Sequence, residues 1–239
     1  MGNGLSNKYP IRINKFLSLA GVCSRRKADD YILDRRVKIN NQFAVIGDTI
    51  NENDIVLVDD EQVQLPNEVI LLAYNKPKGV ECTHDSYNPR SIDNYIQSDI
   101  RLFCIGRLDI SSHGLILLTN NGDLSHHLLH PSNDHTKVYN VKVDRDLEEN
   151  EINKIISGGI PLEIGIKSSA CEISKLNPGY YQLTLCEGRN RQIRKLFGFF
   201  DISVLDILRI KFGPYELESL GKNQTRTLPL PIDFNQKDS

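Results

Sequence analysis

The segment that most constrains this chain runs from Cys104 through Gly106, Arg107, Leu108 and Asp109 to Gly114, and continues at once as Leu115-Ile116-Leu117-Leu118-Thr119. It mounts one carboxylate, Asp109, in a loop between two glycines and feeds that loop into an apolar β-type run closed by an Asn-Gly turn signal at 121–122. Loops anchored on rigid strands are where chemically active side chains concentrate, because the strand fixes what the loop presents. Asp is also a common turn-capping residue, so spacing alone leaves a catalytic and a capping reading open.

At 239 residues, with 39% hydrophobic and 25% charged residues, the chain can bury one large core, or a small one and a medium one. No apolar run approaches the roughly 18 residues of a membrane-spanning helix. An apolar signal core is lacking in the first fifteen residues, and the start Met1-Gly2-Asn3-Gly4-Leu5-Ser6 formally fits the N-myristoylation pattern, but so short a pattern matches by chance and the segment reads better as a polar leader. Five scattered cysteines without a C-x-x-C pair argue against a disulfide framework or a zinc ribbon and for a reducing cytoplasm.

Net charge is only −2, but its distribution is uneven. Residues 1–47 hold nine Lys/Arg against three Asp/Glu, and residues 48–65 hold six acids and no base. A small basic unit of this kind is an electrostatic footprint for a polyanion, or else a solvated helix face. Within it, Ile11 to Ala20 reads as a short amphipathic helix stopped by Gly21, and Ser24 can cap a second helix from Arg25 to Arg35 with Ala28, Tyr31 and Ile32 inward. Val37-Lys38-Ile39, Phe43-Ala44-Val45, Ile55 to Val58 and Val63-Gln64-Leu65 read as small strands, the first two joined by an Asn40-Asn41 turn. The pattern Arg12-x-Asn14-Lys15-Phe16-Leu17, Ala20-Gly21-Val22-Cys23-Ser24-Arg25-Arg26-Lys27-Ala28, Val37-x-Ile39-Asn40 and Gly47-Asp48 resembles the RNA-binding domain named after the fourth protein of the small ribosomal subunit. The resemblance implies that Arg25, Arg26 and Lys27 lie against an RNA backbone, where cations supply affinity without reading sequence.

A boundary is expected at Pro66-Asn67, giving a basic RNA-binding domain over 1–65 and a second domain over 66–239. Beyond it, Val69 to Tyr74 reads as a buried strand, and Asn75-Lys76-Pro77-Lys78-Gly79 as a rigid turn carrying two cations. Ser91 can cap a short helix through Ile96, and Asp123 to His130 reads as a helix ended by Pro131. His126 and His130 stand four apart, but a zinc site needs three or four ligands, so no metal is expected there. Residues 136–143 alternate, with Tyr139, Val141 and Val143 on one face; Tyr139 points into the core or into a cleft. Leu147 to Ile156 reads as an amphipathic helix and Tyr180 to Cys186 as a strand. Ile193, Leu196, Phe197 and Phe200 then form one buried helical stripe, with Arg194 at its edge, able to bury its stem and reach a pocket or to stay exposed.

Four separated motifs now fall in one order: Asn75-Lys76-Pro77-x-Gly79; Gly106-Arg107-Leu108-Asp109 with Gly114-Leu115-x-Leu117-Leu118-Thr119-Asn120-x-Gly122-Asp123; Lys137-x-Tyr139-x-Val141; and Glu187-Gly188-Arg189-Asn190-Arg191-Gln192-Ile193-Arg194. Together they resemble the bacterial ribosomal pseudouridine synthases of the RsuA type over about residues 11–230. Asn133-Asp134-His135-x-Lys137-x-Tyr139 is most similar to the branch that acts on large-subunit rRNA and, in some members, on a tyrosine tRNA. The resemblance implies that Asp109 is the catalytic aspartate, that Arg194 is the basic residue paired with it, and that Tyr139 packs on the target base with Leu185 against the active site. Arg107, Arg189 and Arg191 are expected to contact RNA. No metal or organic cofactor is implied.

The expected architecture is α+β: the small ribosomal-protein-like domain, then a catalytic domain with a mixed, largely antiparallel sheet and flanking helices. The expected protein is a cytoplasmic monomer with no membrane association, whose partner is RNA: rRNA, a tRNA or a ribosomal assembly intermediate. Its alternative is a non-catalytic RNA-binding or ribosome-assembly factor on the same fold. An aspartate-based glycoside hydrolase fits poorly, since no second carboxylate partner is evident. Ile110 and His113 replace more usual polar or charged residues and are expected to touch RNA. Lys195-Leu196 likewise replaces a frequent Arg-Met pair, and the long basic C-terminal tail of some relatives is lacking.

Overall fold

The computed structural model describes residues 9–85, 87–130, 133 and 135–236. The leader Met1 to Ser6, Pro131 and Asp134 lie outside them. In the N-terminal unit β1 (Ile11–Arg12) runs straight into α1 (Ile13–Leu19), and α2 (Arg25–Leu33) follows. The Ser24 hydroxyl accepts a hydrogen bond from the Lys27 amide, as an N-cap does. Helix α2 stops short of Arg35, which takes a left-handed φ of 55°. The strands β2 (Val37–Ile39), β3 (Gln42–Phe43), β4 (Thr49–Ile50), β5 (Val56–Val58) and β6 (Glu61–Val63) complete the unit.

Strands β2, β3, β5 and β6 form a sheet in the order β3-β2-β5-β6, while β4 pairs with β1. Asn40 and Asn41 both have positive φ, the signature of the primed turns that match strand twist. Asp59 and Asp60 do the same between β5 and β6, so β6 begins at Glu61, two residues before the expected Val63. Strand β3 ends at Phe43, and Ala44 instead joins the core with Ile13, Leu17, Ala28, Ile32, Val37 and Ile50.

The larger unit is built on β7 (Leu71–Lys76), β8 (Phe103–Ile105), β9 (His113–Thr119), β10 (Lys137–Val143), β11 (Pro161–Glu163), β12 (Ile166–Lys167), β13 (Glu172–Asn177), β14 (Tyr180–Leu185), β15 (Val204–Phe212), β16 (Tyr215–Glu216) and β17 (Thr225–Thr227). Its helices are α3 (Gly122–Leu129), α4 (Glu149–Ser157), α5 (Gln192–Gly198) and α6 (Ile232–Gln236). Nine strands make one sheet along β13-β14-β10-β15-β9-β7-β17, with β16 on β15 and β8 on β9; β11 and β12 form a separate hairpin. Pairing is antiparallel throughout the nine-stranded sheet except between β15 and β9, which run parallel for two residues. The mixed, largely antiparallel α+β architecture is therefore as expected.

Two local differences from the expected elements are seen. Asn121 caps α3, accepting from the Asp123 and Leu124 amides, so Gly122 starts the helix where a turn was expected. Only the 3-10 turn Ile92–Asn94 forms after Ser91, not a longer helix. One glycine is fixed by packing: a Cβ at Gly114 would stand 2.3 Å from the Arg209 carbonyl oxygen, and its φ is +100°. That close approach is where β9 meets β15 and where the Asp109 loop enters the sheet.

Candidate active site

The floor of the site is one face of three adjacent strands. In β10, Lys137 lies opposite Leu185 of β14 and Phe212 of β15, and Tyr139 lies opposite Leu183 and Arg209. Opposed residues of an antiparallel pair share a face, so Leu185, Lys137, Tyr139, Arg209 and Phe212 form one surface. A bulge between Val138 and Tyr139 in the β10–β15 register lets both Arg209 and Phe212 join it. Over this floor stand the loop Gly106 to Ser112 and the turn from Gly188 to Gln192. The cavity between them, about 210 Å³, is lined by Arg107, Leu108, Asp109, Ser112, Lys137, Tyr139, Leu185, Arg189, Arg191, Arg209 and Phe212, among others. A second cavity, of about 460 Å³, shares the walls Gly106 to Asp109, Gly188, Arg189 and Arg191 and adds Glu81, Cys82, Thr83, Ile110 and Asn190.

Charge in the first cavity is lopsided: Arg107, Lys137, Arg189, Arg191 and Arg209 face one carboxylate, Asp109. Among the described residues, Asp109 makes no ion pair or side-chain hydrogen bond. Its loop, in contrast, is held from three sides. The Gly79 amide donates to the Ile110 carbonyl at 2.8 Å. That Gly79 turn is itself shaped by Lys76, whose fully buried ammonium donates to the Pro77 and Val80 carbonyls and whose pKa burial lowers. On the second side, Arg194 donates from Nη2 to the Ser111 hydroxyl at 2.9 Å and from Nη1 to the Val204 carbonyl at 2.8 Å. On the third, His113 and Lys78 both contact Asp206 of β15, at 3.0 and 2.7 Å. Burial pushes the Asp206 carboxyl up, but hydrogen bonds from Lys78 and His113 outweigh it and hold the pKa below its usual value.

One expectation is corrected here. Arg194 does not pair with Asp109 in this structure, and it does not line the cavity; it leaves α5 beside the start of β15, and its planar fork bridges Ser111 to Val204. Of the stretch Ile110 to His113, expected to touch RNA, Ile110 lines the second cavity and Ser111 is exposed, while Ser112 is buried and His113 is tied to Asp206. Tyr139 is 7% exposed and opens onto the cavity, the cleft reading of its alternation.

The arginine turn is stiffened locally. Glu187 accepts from Arg189 Nε at 2.8 Å and from Gln192 Nε2 at 2.6 Å, and Gln192 Oε1 accepts from the Arg189 amide. Arg191 sits at φ 51°, a left-handed conformation that costs a non-glycine residue about 1–2 kcal/mol. Sequence reasoning passed over Arg209 and left Lys137 without a role. The available signal was Arg209 in register with inward Ile207 along an otherwise β-type run. Lys137 lies 5.2 Å from the Phe212 ring centroid, and burial, then the nearby Arg209 charge, lowers its pKa.

On the N-terminal unit, Arg25, Arg26 and Lys27 are exposed along α2. Lys27 pairs with Asp30 at 3.4 Å; Arg25 and Arg26 make no ion pair among the described residues. Lys15 of α1 pairs with Asp123 of α3 at 2.9 Å and ties the two units together.

A small unit that exposes the cations at the start of α2, joined to a mixed sheet whose cationic cleft holds a lone loop aspartate, suits an enzyme that binds a polyanion beside one reactive carboxylate. Comparison with known proteins gives the family. The family described as RNA pseudouridylate synthase matches residues 70–198, the S4 domain family matches residues 11–61, and the chain belongs to the RNA pseudouridylate synthases. It is 37% identical to the dual-specificity RNA pseudouridine synthase RluF of Escherichia coli, covering 91% of this chain and 75% of that one. The ribosomal large subunit pseudouridine synthase B of Buchnera aphidicola is 34% identical, over 84% and 86% of the two chains. A crystal structure of a pseudouridylate synthase superposes with a TM-score of 0.68 at 28% identity, covering 96% of this chain and all of that one. No helix among the described residues is long and apolar enough to cross a membrane.

Proposed function

We propose that this chain converts uridine to pseudouridine in large-subunit rRNA, with a tRNA as a second substrate class, and that Asp109 carries the chemistry. The observation that carries this reading is the single carboxylate in a cavity with five cations and a flat aromatic neighbour, Tyr139. The reaction breaks the bond from N1 of uracil to C1′ of ribose and rejoins the sugar through C5. A carboxylate beside the ribose can attack C1′ or remove the C2′ proton. By either route the N1–C1′ electron pair leaves with the base. The base turns and C5 bonds to C1′, either as the Asp109 carboxylate leaves C1′ or as the proton it removed returns to C2′; the C5 proton is then lost to solvent.

Tyr139 offers a face to a uracil taken out of its stack, and Leu185 closes the opposite side of the floor. Arg107, Arg189 and Arg191 meet the phosphates flanking the target, and Arg25, Arg26 and Lys27 take a more distant stretch of the same RNA. Arg194 acts on Asp109 by holding its loop through Ser111. We place the division of labour at residues 1–65 and 66–239, and the enzyme as a monomer in the cytoplasm. The likeness to the large-subunit synthase B supports the rRNA class, and the likeness to the dual-specificity synthase RluF supports a second RNA class. The test is a map of pseudouridines in rRNA and tRNA from cells with and without the gene. Loss of one or a few large-subunit sites in the deletion is expected; an unchanged map in both RNA classes would reject the reading.

A further inference from the structure

Arg209 is 2% exposed, lies beside Tyr139 across the β10–β15 ladder and lines the Asp109 cavity. Its Nε donates to the Leu115 carbonyl at 2.6 Å and its guanidinium carbon stands 5.4 Å from the Phe212 ring centroid. Its Nη2 is buried with no hydrogen-bond partner. A buried cation with an unmet donor is costly, and such groups in native structures call for an explanation. Among the described residues no carboxylate pairs with Arg209, and another cation of the cavity, Lys137, lies close enough to feel its charge.

The substrate supplies the missing acceptor. Resting on the synthase reading above, we propose that Arg209 is a catalytic residue whose guanidinium donates to a uracil carbonyl once the base enters the cavity and stabilises the base as it departs from the ribose. When the N1–C1′ bond breaks, its electron pair goes to the base, and the negative charge spreads over N1, O2 and O4. Arg209 stays protonated and transfers no proton; the charge is withdrawn when C5 bonds to C1′. A preorganised donor at such a site does its work where charge develops, so its removal lowers the rate of the bonded step more than the affinity for RNA.

The experiment uses the full chain and 5-tritiated total RNA from cells lacking the gene, with release of label measured at enzyme in excess. Arg209→Lys and Arg209→Ala are compared with the native chain for the saturating rate, the half-saturating enzyme concentration and the thermal midpoint. The expected result is a saturating rate about 10²- to 10³-fold lower with half-saturation moved by only a few-fold. Non-denaturing guanidinium should restore part of the Arg209→Ala rate and leave the native rate unchanged. A folded Arg209→Lys or Arg209→Ala variant that keeps the native saturating rate overturns the inference, as does a loss confined to half-saturation. A native chain that releases no label would overturn the synthase reading itself.

Discussion

The two basic regions of the molecule treat their charge in opposite ways. In the N-terminal unit most cations are matched: Arg36 forks onto Asp59, Lys38 pairs with Asp60 at 2.6 Å, and Arg12 donates to the Gly47 carbonyl. Of the six acids in the run 48–65, Asp59 and Asp60 serve as counterions within their own domain. In the cleft, Arg107, Lys137, Arg191 and Arg209 have no carboxylate partner among the described residues, and Asp109 has no cation pair. The first pattern builds a stable platform that exposes a narrow basic strip at Arg25 and Arg26. The second builds a field that is satisfied only when an anionic ligand enters. Exposed pairs contribute little to stability, so the platform rests on its Ile13, Leu17, Ile32 and Val56 core and not on its ion pairs.

This contrast can be broken by substitution. The largest effect among the variants of supporting groups is expected at Arg194. Arg194→Ala frees the Asp109 loop from Val204 and Ser111 and should lower turnover about 10²-fold, because small misplacements of a reacting group cost that much. Arg194→Lys should recover little, since an ammonium cannot bridge both acceptors in one plane. Label release with RNA binding measured in parallel checks this. Next is Tyr139: Tyr139→Leu should lose about 10- to 100-fold in turnover if the ring stacks on the target base, whereas Tyr139→Phe keeps the face and stays within about twofold.

A smaller effect is expected on the platform. Replacing Arg25 and Arg26 together with Gln should weaken RNA binding several-fold and lower the slope of log affinity against log salt by about 1 to 2, with turnover at saturation unchanged. The smallest effect is at the loop support. Because the Asp206 pKa lies below its unfolded value, the Lys78 and His113 contacts stabilise the fold above about pH 4 and lose that contribution as pH falls through the folded value. Asp206→Asn should therefore melt slightly earlier than the native chain at pH 7 and show no deficit once the native carboxyl is protonated. Melting curves across that range check the sign.

The N-terminal unit was legible in sequence because its determinants are local: a Ser24 cap, an amphipathic repeat, an Asn-Asn turn. The cleft was legible only where a motif carried it. Asp109 and the arginine turn sit in contiguous motifs, and Tyr139 and Leu185 follow strand alternation. Arg209 escaped because its role arises from register: it meets Tyr139 across one ladder and Gly114 across another, partners 70 to 95 residues away. The pairing of Arg194 with Asp109 came from the resemblance; helical spacing gives the side of a helix but not which acceptor a side chain reaches, and here the acceptors are Ser111 and Val204.

The central claim is that an unpaired Asp109, mounted in a cationic cleft, performs the isomerisation while the rest of the molecule holds RNA. It is tested most directly by Asp109→Asn, which preserves shape and removes only the charge. Incubated with 5-tritiated RNA from cells lacking the gene, the native chain should release label. The variant should release none above background while binding that RNA with native affinity. Release by the variant at the native rate would contradict the account.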